Sequence, residues 1–76
     1  MKEAVGTKIK EMRENASLTQ KELAVRLWGT DKNQSYISEI EAGKHSPSVN
    51  FLSEIAQALN CQVADLIPNL GMREDV

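Results

Sequence analysis

The sequence predicts a compact all-α domain of five helices. Apolar residues recur at helical spacing in several segments, which is the pattern of amphipathic helices. Residues that start or stop helices, such as Ser, Thr, Asn, Gly and Pro, separate these segments. No segment shows the apolar–polar alternation that is typical of a half-buried strand. Together these observations favour helices packed on one another without a sheet.

The first two helices are joined by a short turn. The first is expected from Val5 to Asn15. Its inner face carries Ile9, Met12 and Ala16. Thr19 and Glu22 have the S/T-x-x-E spacing of a capping box, in which each side chain bonds the other's backbone N–H, so the second helix begins there. The inner stripe of this second helix is Leu23, Ala24 and Leu27.

The third helix has an outward face with no apolar residue. It is expected to begin after Asn33, a good N-cap, and to stop at Gly43, because glycine adopts the left-handed conformation without a Cβ penalty. Ile37 and Ile40 face inward. The outward face carries short or forked polar groups on Gln34, Ser35, Ser38 and Glu39.

This polar face has two interpretations. Gln can bond adenine, Ser can bond several base edges, and Glu can accept from cytosine N4. The N-terminus of a helix adds partial positive charge and free N–H groups that suit phosphate. An ordinary solvated helix carries similar residues, so this face alone leaves both interpretations open.

A fourth and a fifth helix complete the prediction. Pro47 prevents the third helix from continuing, and Ser48 then caps a helix from Val49 to Leu59. The inner stripe of this helix is Leu52, Ile55, Ala56 and Leu59, and Asn60 is a plausible left-handed terminator. A short fifth helix is expected from Val63 to Ile67, before Pro68. Residues 1–70 are expected to form one domain, and residues 71–76 a short frayed tail.

Several separated motifs occur in the order of a known family. They are Arg13, Leu18-Thr19-Gln20, Leu23-Ala24, Ile37-Ser38, Ile40-Glu41, Gly43-Lys44, Pro47 and Ile55-Ala56 with Leu59. From about Lys8 to Ile67 the chain resembles the lambda-repressor/Cro-type helix-turn-helix family of phage repressors and small bacterial and archaeal regulators. The resemblance implies that helices two and three form the helix-turn-helix, with helix three in the major groove of DNA.

The resemblance also assigns roles to residues. It implies base contacts from the polar face of helix three, that is, from Gln34, Ser35, Ser38 and Glu39. It implies phosphate contacts from Gln20, Asn33, Tyr36, Lys44 and His45. Tyr36 is equally suited to covering the junction with helix two, and Glu39 to repelling phosphate and so excluding wrong registers. Arg13 and Glu41 match the family's partly buried ion pair between helices one and three.

The connection between helices two and three departs from the family. It is longer than usual, with the extra residues around Trp28, Gly29 and Thr30. Trp28 is expected to pack on its own domain, and the alternative is a contact with the DNA backbone or with a partner.

The net charge of −2 counts against DNA binding, since DNA-binding domains are usually basic. The distribution of the charged residues makes this argument against DNA binding weaker. Residues 1–44 carry eight Lys/Arg and seven Asp/Glu, a net +1, whereas residues 45–76 carry one and four, a net −3. We therefore expect steep salt dependence and little affinity for random DNA.

Other classes of protein have little support. The longest apolar run is far below the ~20 residues that cross a membrane, and the N-terminal residues lack a secretory signal. The single Cys61 fits a reducing cytoplasm and is expected to be a buried thiol. No cofactor, metal site or enzymatic activity is expected, because no metal cluster, Gly-rich phosphate loop or Cys–His pair at useful spacing occurs.

The sequence thus predicts a cytoplasmic, sequence-specific DNA-binding transcriptional regulator, either a repressor or an operon controller. It is expected to bind a palindromic operator in double-stranded DNA as a homodimer. The expected dimer surface is Val63, Leu66, Ile67, Leu70 and Met72, although Leu66 and Ile67 are also suited to closing the core. The alternative is an antitoxin or another protein-interaction module that regulates its own operon, with which an exposed Trp28 and the acidic balance are compatible.

Overall fold

Four α-helices and a 3₁₀ helix form the described part of the chain. The structure, a computed structural model, describes residues 2–67, with side chains from Val5 onwards. The elements are α1 (Lys2–Asn15), α2 (Gln20–Trp28), α3 (Gln34–Glu41), α4 (Val49–Leu59) and the 3₁₀ helix (Val63–Leu66). No strand occurs between residues 2 and 67, so the all-α prediction holds for this part.

The fifth predicted helix forms over Val63–Leu66 as a 3₁₀ helix, so the described residues contain four α-helices and not five. Its backbone bonds span three residues, from Asp65 N to the Gln62 carbonyl at 2.9 Å and from Ile67 N to the Ala64 carbonyl at 3.4 Å. A segment this short, with Pro68 following, makes too few hydrogen bonds to offset the cost of starting an α-helix.

The core forms where α1 lies against α3, α4 and the 3₁₀ helix, and where α2 lies against α3 and α4. Its largest fully buried side chains are Ile9, Leu23, Ile40, Ile55 and Leu66. Leu66 is 0% exposed, so it closes the core and its assignment to a dimer surface is wrong. Val63 and Ile67 are half-buried against this core, and Leu70 and Met72 lie outside the described residues.

Most of the predicted helix caps are present. Thr19 Oγ1 accepts from Glu22 N at 3.0 Å while Glu22 Oε1 accepts from Thr19 N at 2.8 Å, which completes the capping box. Ser48 Oγ accepts from Phe51 N at 3.1 Å at the start of α4. Asn60 and Gly43 take the left-handed conformation, with φ of 59° and 83°. These local signals fix four of the helix boundaries close to the positions that the sequence predicts.

Two helix boundaries differ from the prediction. Helix α1 begins at Lys2 and not at Val5, since the residues before Val5 include good helix formers. The sequence predicts that the second helix ends at Leu27, but α2 includes Trp28, because Gly29 adopts a φ of 74° and ends the helix one residue later. Ala16 follows the end of α1 and is exposed, although the sequence placed it on the inner face.

Gly6 lies where α1 crosses the C-terminal end of α3. A Cβ added at this position would meet the Ile40 carbonyl oxygen at 2.3 Å and the Glu41 carbonyl oxygen at 3.0 Å. Both obstacles are backbone atoms, which cannot turn aside as a flexible side chain can. The absence of a side chain at Gly6 therefore sets how closely the two helices approach.

We predict that Gly6→Ala destabilises the domain, because α1 must move away from α3. The expected cost is about 1–3 kcal/mol, in the range of overpacked cores. The measurement is urea unfolding followed by circular dichroism. Lys10→Ala, on the exposed side of the same helix, controls for helix propensity and should change stability little. Equal unfolding midpoints for the two variants would contradict the close approach.

Candidate nucleic-acid interface

The outward face of α3 is polar, and three of its four side chains make no internal hydrogen bond. Ile37 and Ile40 are buried on the opposite side of the helix, facing α1 and α2. Ser35 and Ser38 are exposed and Gln34 is half-buried. Among residues 2–67 none of these three polar side chains has a hydrogen-bond partner. Their donors and acceptors are therefore available to a molecule that lies along this face.

The N-terminal ends of α2 and α3 both present open backbone donors. The capping box uses the N–H groups of Thr19 and Glu22, so those of Gln20 and Lys21 have no acceptor in the part that the structure describes. At the start of α3, Ser35 N is likewise without an acceptor there. Such donors, together with the helix dipole, suit an anionic group.

Asn33 stands at the N-cap position of α3, but its side chain makes no capping bond. The backbone turn before the helix replaces it, since Gln34 N donates to the Asp31 carbonyl at 3.1 Å. Tyr36 N donates to the Asn33 carbonyl at 3.0 Å, which tightens the first turn of the helix. The amide of Asn33 is thus exposed beside the free end of α3.

The C-terminal end of α3 fixes the backbone of the next residues. Lys44 N donates to the Glu39 carbonyl at 2.9 Å and Gly43 N to the Ile40 carbonyl at 3.0 Å, the two bonds of a Schellman motif. The side chain of Lys44 is exposed, and no carboxylate in residues 5–67 pairs with it. The motif therefore leaves a free cation directly after the polar face.

Glu39 and His45 form a pair that the sequence interpretation did not foresee. His45 Nε2 lies 2.8 Å from Glu39 Oε1, and both side chains are about half exposed, at 47% and 46%. Gly43 is the sequence signal for this pair, because a left-handed glycine after a helix turns the following residues back over the last turn of that helix. His45 therefore lies beside α3 and does not extend away from it.

Four aromatic rings join the end of α2, α3 and the start of α4. Trp28 stacks on Phe51 with centroids 5.9 Å apart, and Tyr36 lies 5.8 Å from Phe51 and 5.3 Å from His45. Trp28 is half-buried against the core, as expected if it packs on its own domain. This position weakens the protein-interaction alternative, which drew on an exposed Trp28. Tyr36 covers the helix junction and remains 37% exposed.

The ion pair between Arg13 and Glu41 lies under this surface. Arg13 Nε donates to Glu41 Oε2 at 2.8 Å and Arg13 Nη2 to Glu41 Oε1 at 3.1 Å, a two-pronged contact. The side chains are only 9% and 3% exposed. The hydrogen bond to Glu41 raises the pKa of Arg13 despite the opposing effect of burial, so the guanidinium stays charged.

Gln20 extends this pair to the surface. Its Nε2 donates to Glu41 Oε1 at 3.0 Å, and Arg13 Nη1 donates to the Leu18 carbonyl at 2.7 Å. The sequence identified Gln20 and the ion pair separately and missed the bond between them. Because the amide of Gln20 carries a second N–H, one donor remains for an external acceptor while the side chain is held in place.

These features define a DNA-binding domain of the helix-turn-helix class: α2 supports α3, and α3 exposes a polar face between two helix ends with free donors. A helix-turn-helix family model matches residues 9–66, most of the chain. The chain belongs to this family, the lambda-repressor/Cro-type helix-turn-helix proteins.

Curated relatives agree with the family assignment. An uncharacterised HTH-type transcriptional regulator of Sinorhizobium fredii is 34% identical over 67 residues, which cover 88% of this chain and 83% of that protein. Another from Archaeoglobus fulgidus is 35% identical over 60 residues, 79% of this chain and 80% of its own. The immunity repressor of Bacillus phage phi105 is 35% identical over 63 residues, 83% of this chain but 42% of the repressor.

No helix within residues 2–67 has the length and apolar character to cross a membrane. The same residues contain no group of three or more His, Cys, Asp or Glu side chains placed to hold a metal ion.

We predict that Arg13→Ala destabilises the fold, because it leaves the carboxylate of Glu41 buried without a cation. Breaking a buried pair in this way costs about 3–5 kcal/mol. Urea unfolding gives the free energy. Replacing both partners, Arg13→Met with Glu41→Leu, should recover much of the lost stability, since no buried charge is then unpaired.

The matched control for this prediction is Glu14→Ala. Glu14 lies 4.0 Å from Arg13 and is 58% exposed, so its loss should cost at most about 1 kcal/mol. If Arg13→Ala and Glu14→Ala were equally stable, the buried pair would not hold the helices together.

Proposed function

We propose that this protein is a sequence-specific transcriptional regulator, a repressor or an operon controller, that reads the major groove of double-stranded DNA with α3. The observation that carries the proposal is the row of unpaired polar side chains on α3, between two helix ends with open donors. A solvated face can carry the same side chains, and their position between two helix ends with open N–H donors, in a helix-turn-helix fold, is what favours base reading. The name of the phage immunity repressor supports the repressor role.

The proposed contacts follow from position along this face. Gln34 and Ser35, at the exposed start of α3, lie where helix-turn-helix proteins meet base edges, and Ser38 follows them along the same face. Gln20, Asn33 and Lys44 lie at the ends of the face and suit the phosphates on either side. The exposed edge of Tyr36 suits the same backbone.

We propose that the protein acts as a homodimer on an inverted repeat. One domain makes few base contacts, and a two-fold dimer places two recognition helices one turn of DNA apart, about 34 Å. The half-buried apolar residues Val63 and Ile67 and the downstream Leu70 are the proposed surface. Leu66 is excluded from it because it is fully buried.

The test is selection of bound fragments from random duplex DNA by the purified chain. An enriched inverted repeat would support both sequence specificity and the dimer. An enriched single half-site would support a DNA-reading monomer and exclude the dimer. Failure to enrich any sequence, by a protein shown to be folded, would refute the proposal.

We predict that Gln34→Ala and Ser35→Ala keep the fold and weaken binding to the selected site. A good bidentate base contact is worth about 1–3 kcal/mol, and the loss should fall on one or two base positions. Competition binding against sites changed at single positions measures it. Gln57→Ala, an exposed glutamine on α4, is the control. Parental affinity in both α3 variants would remove these residues from the interface.

We predict that Lys44→Ala weakens binding to all sequences alike, because its ammonium pairs with phosphate. The slope of log affinity against log salt should fall in magnitude by about one. Titrations at several salt concentrations measure it, with Lys10→Ala on the exposed face of α1 as the control. A loss that depends on base sequence would contradict the phosphate contact.

A further inference from the structure

We propose that His45 is a positioning residue that holds the carboxylate of Glu39 ready to read a cytosine. The inference rests on the proposed DNA-binding function and assigns a specificity determinant within it. It also replaces the phosphate contact that the resemblance suggested for His45.

The direction of the hydrogen bond follows from the chemistry of its partners. An ionised carboxylate only accepts hydrogen bonds, so the proton between Glu39 Oε1 and His45 Nε2, 2.8 Å apart, belongs to the imidazole. Oε1 is thereby engaged, while Oε2 has no partner in the described part of the chain. Glu39 thus offers one free oxygen whose position is set by its neighbour.

The same bond makes the neutral form of His45 a poor phosphate ligand. A neutral imidazole carries a single N–H, and here it is directed at Glu39. Nδ1 then has a lone pair, which accepts hydrogen bonds and has nothing to donate to a phosphate oxygen. Lys44, the preceding residue, is a free cation and suits that backbone contact better.

His45 is itself held from two further directions. Its ring lies 5.3 Å from the ring of Tyr36, and Tyr36 packs on Phe51 at 5.8 Å. Its backbone follows the Schellman turn at Gly43. The bond to this held ring restricts the side chain of Glu39 before DNA arrives, which lowers the entropy cost of forming a directional contact.

The chemistry of the free oxygen selects its partner. In the major groove cytosine presents the N4 amino donor, whereas guanine and thymine present acceptors that repel a carboxylate. Adenine presents a donor beside the N7 acceptor and is less suitable. A fixed Oε2 on the outward face of α3 therefore favours a cytosine at one position of each half-site.

The experiment compares base preferences of the full chain and its variants, selected on random duplex DNA and then measured by competition. The parent should prefer cytosine at one position by about tenfold, within the range of good base contacts. Glu39→Ala should lose this preference. His45→Phe keeps an aromatic ring beside Tyr36 but has no donor, and it should reduce the preference to about two- or threefold. His45→Gln restores a donor and should keep most of the cytosine preference.

Three results would overturn the inference while the DNA-binding function stands. If His45→Phe weakened binding to all sequences alike and lowered the salt slope, His45 would be a phosphate contact. If His45→Phe kept the full cytosine preference, Glu39 would not need His45. If the parent enriched a site in which no position depends on Glu39, the reading role of Glu39 would be wrong while the DNA-binding function stood. Failure of the parent to enrich any DNA would instead refute the proposed function, and this inference with it. Melting temperatures close to that of the parent would show that the exposed substitutions leave the fold intact.

Discussion

The contact between α1 and the C-terminal end of α3 is the constraint on which the rest of the structure depends. It has an apolar part, where Gly6 lets the backbones come together, and a polar part, where Arg13 bonds Glu41. The guanidinium also donates to the Leu18 carbonyl in the turn before α2. The side chain of Arg13 thereby fixes α1, the turn before α2, and α3 relative to one another. The orientation of α3 against the other helices follows from these bonds.

This buried network also reaches the surface. Glu41 accepts from Arg13 and from Gln20, so the residue proposed as a phosphate clamp is oriented by the same ion pair that holds α1 to α3. Within the described residues no buried side-chain N or O atom is left without a partner. A fully satisfied network costs little to bury and tolerates few alternatives, so it specifies a geometry more than it adds stability.

The sequence predicted those features that depend on neighbours along the chain. The capping box at Thr19 and the left-handed Asn60 are decided by residues a few positions apart, so their signals are local. The burial of Leu66 and the contact of Trp28 with Phe51 depend on how helices cross, which periodicity does not determine. Arg13 and Glu41 are far apart in the chain, and only the family resemblance related them. The bond between Glu39 and His45 is an intermediate case. A local turn brings the two residues together, but the side-chain rotamers that complete the bond depend on tertiary packing.

The acidic balance of the chain is less unfavourable to DNA binding than its formal charge suggests. The carboxylates of the helix-turn-helix are largely engaged: Glu22 in the capping box, Glu41 with Arg13, and Glu39 with His45. Asp31 lies 3.7 Å from the ammonium of Lys21, a weaker exposed pair. Because Lys44 has no such partner among the described residues, the unpaired charge at the polar face is positive. A phosphate backbone placed along α3 would meet this local field, and the acidic C-terminal part would act mainly by weakening non-specific binding.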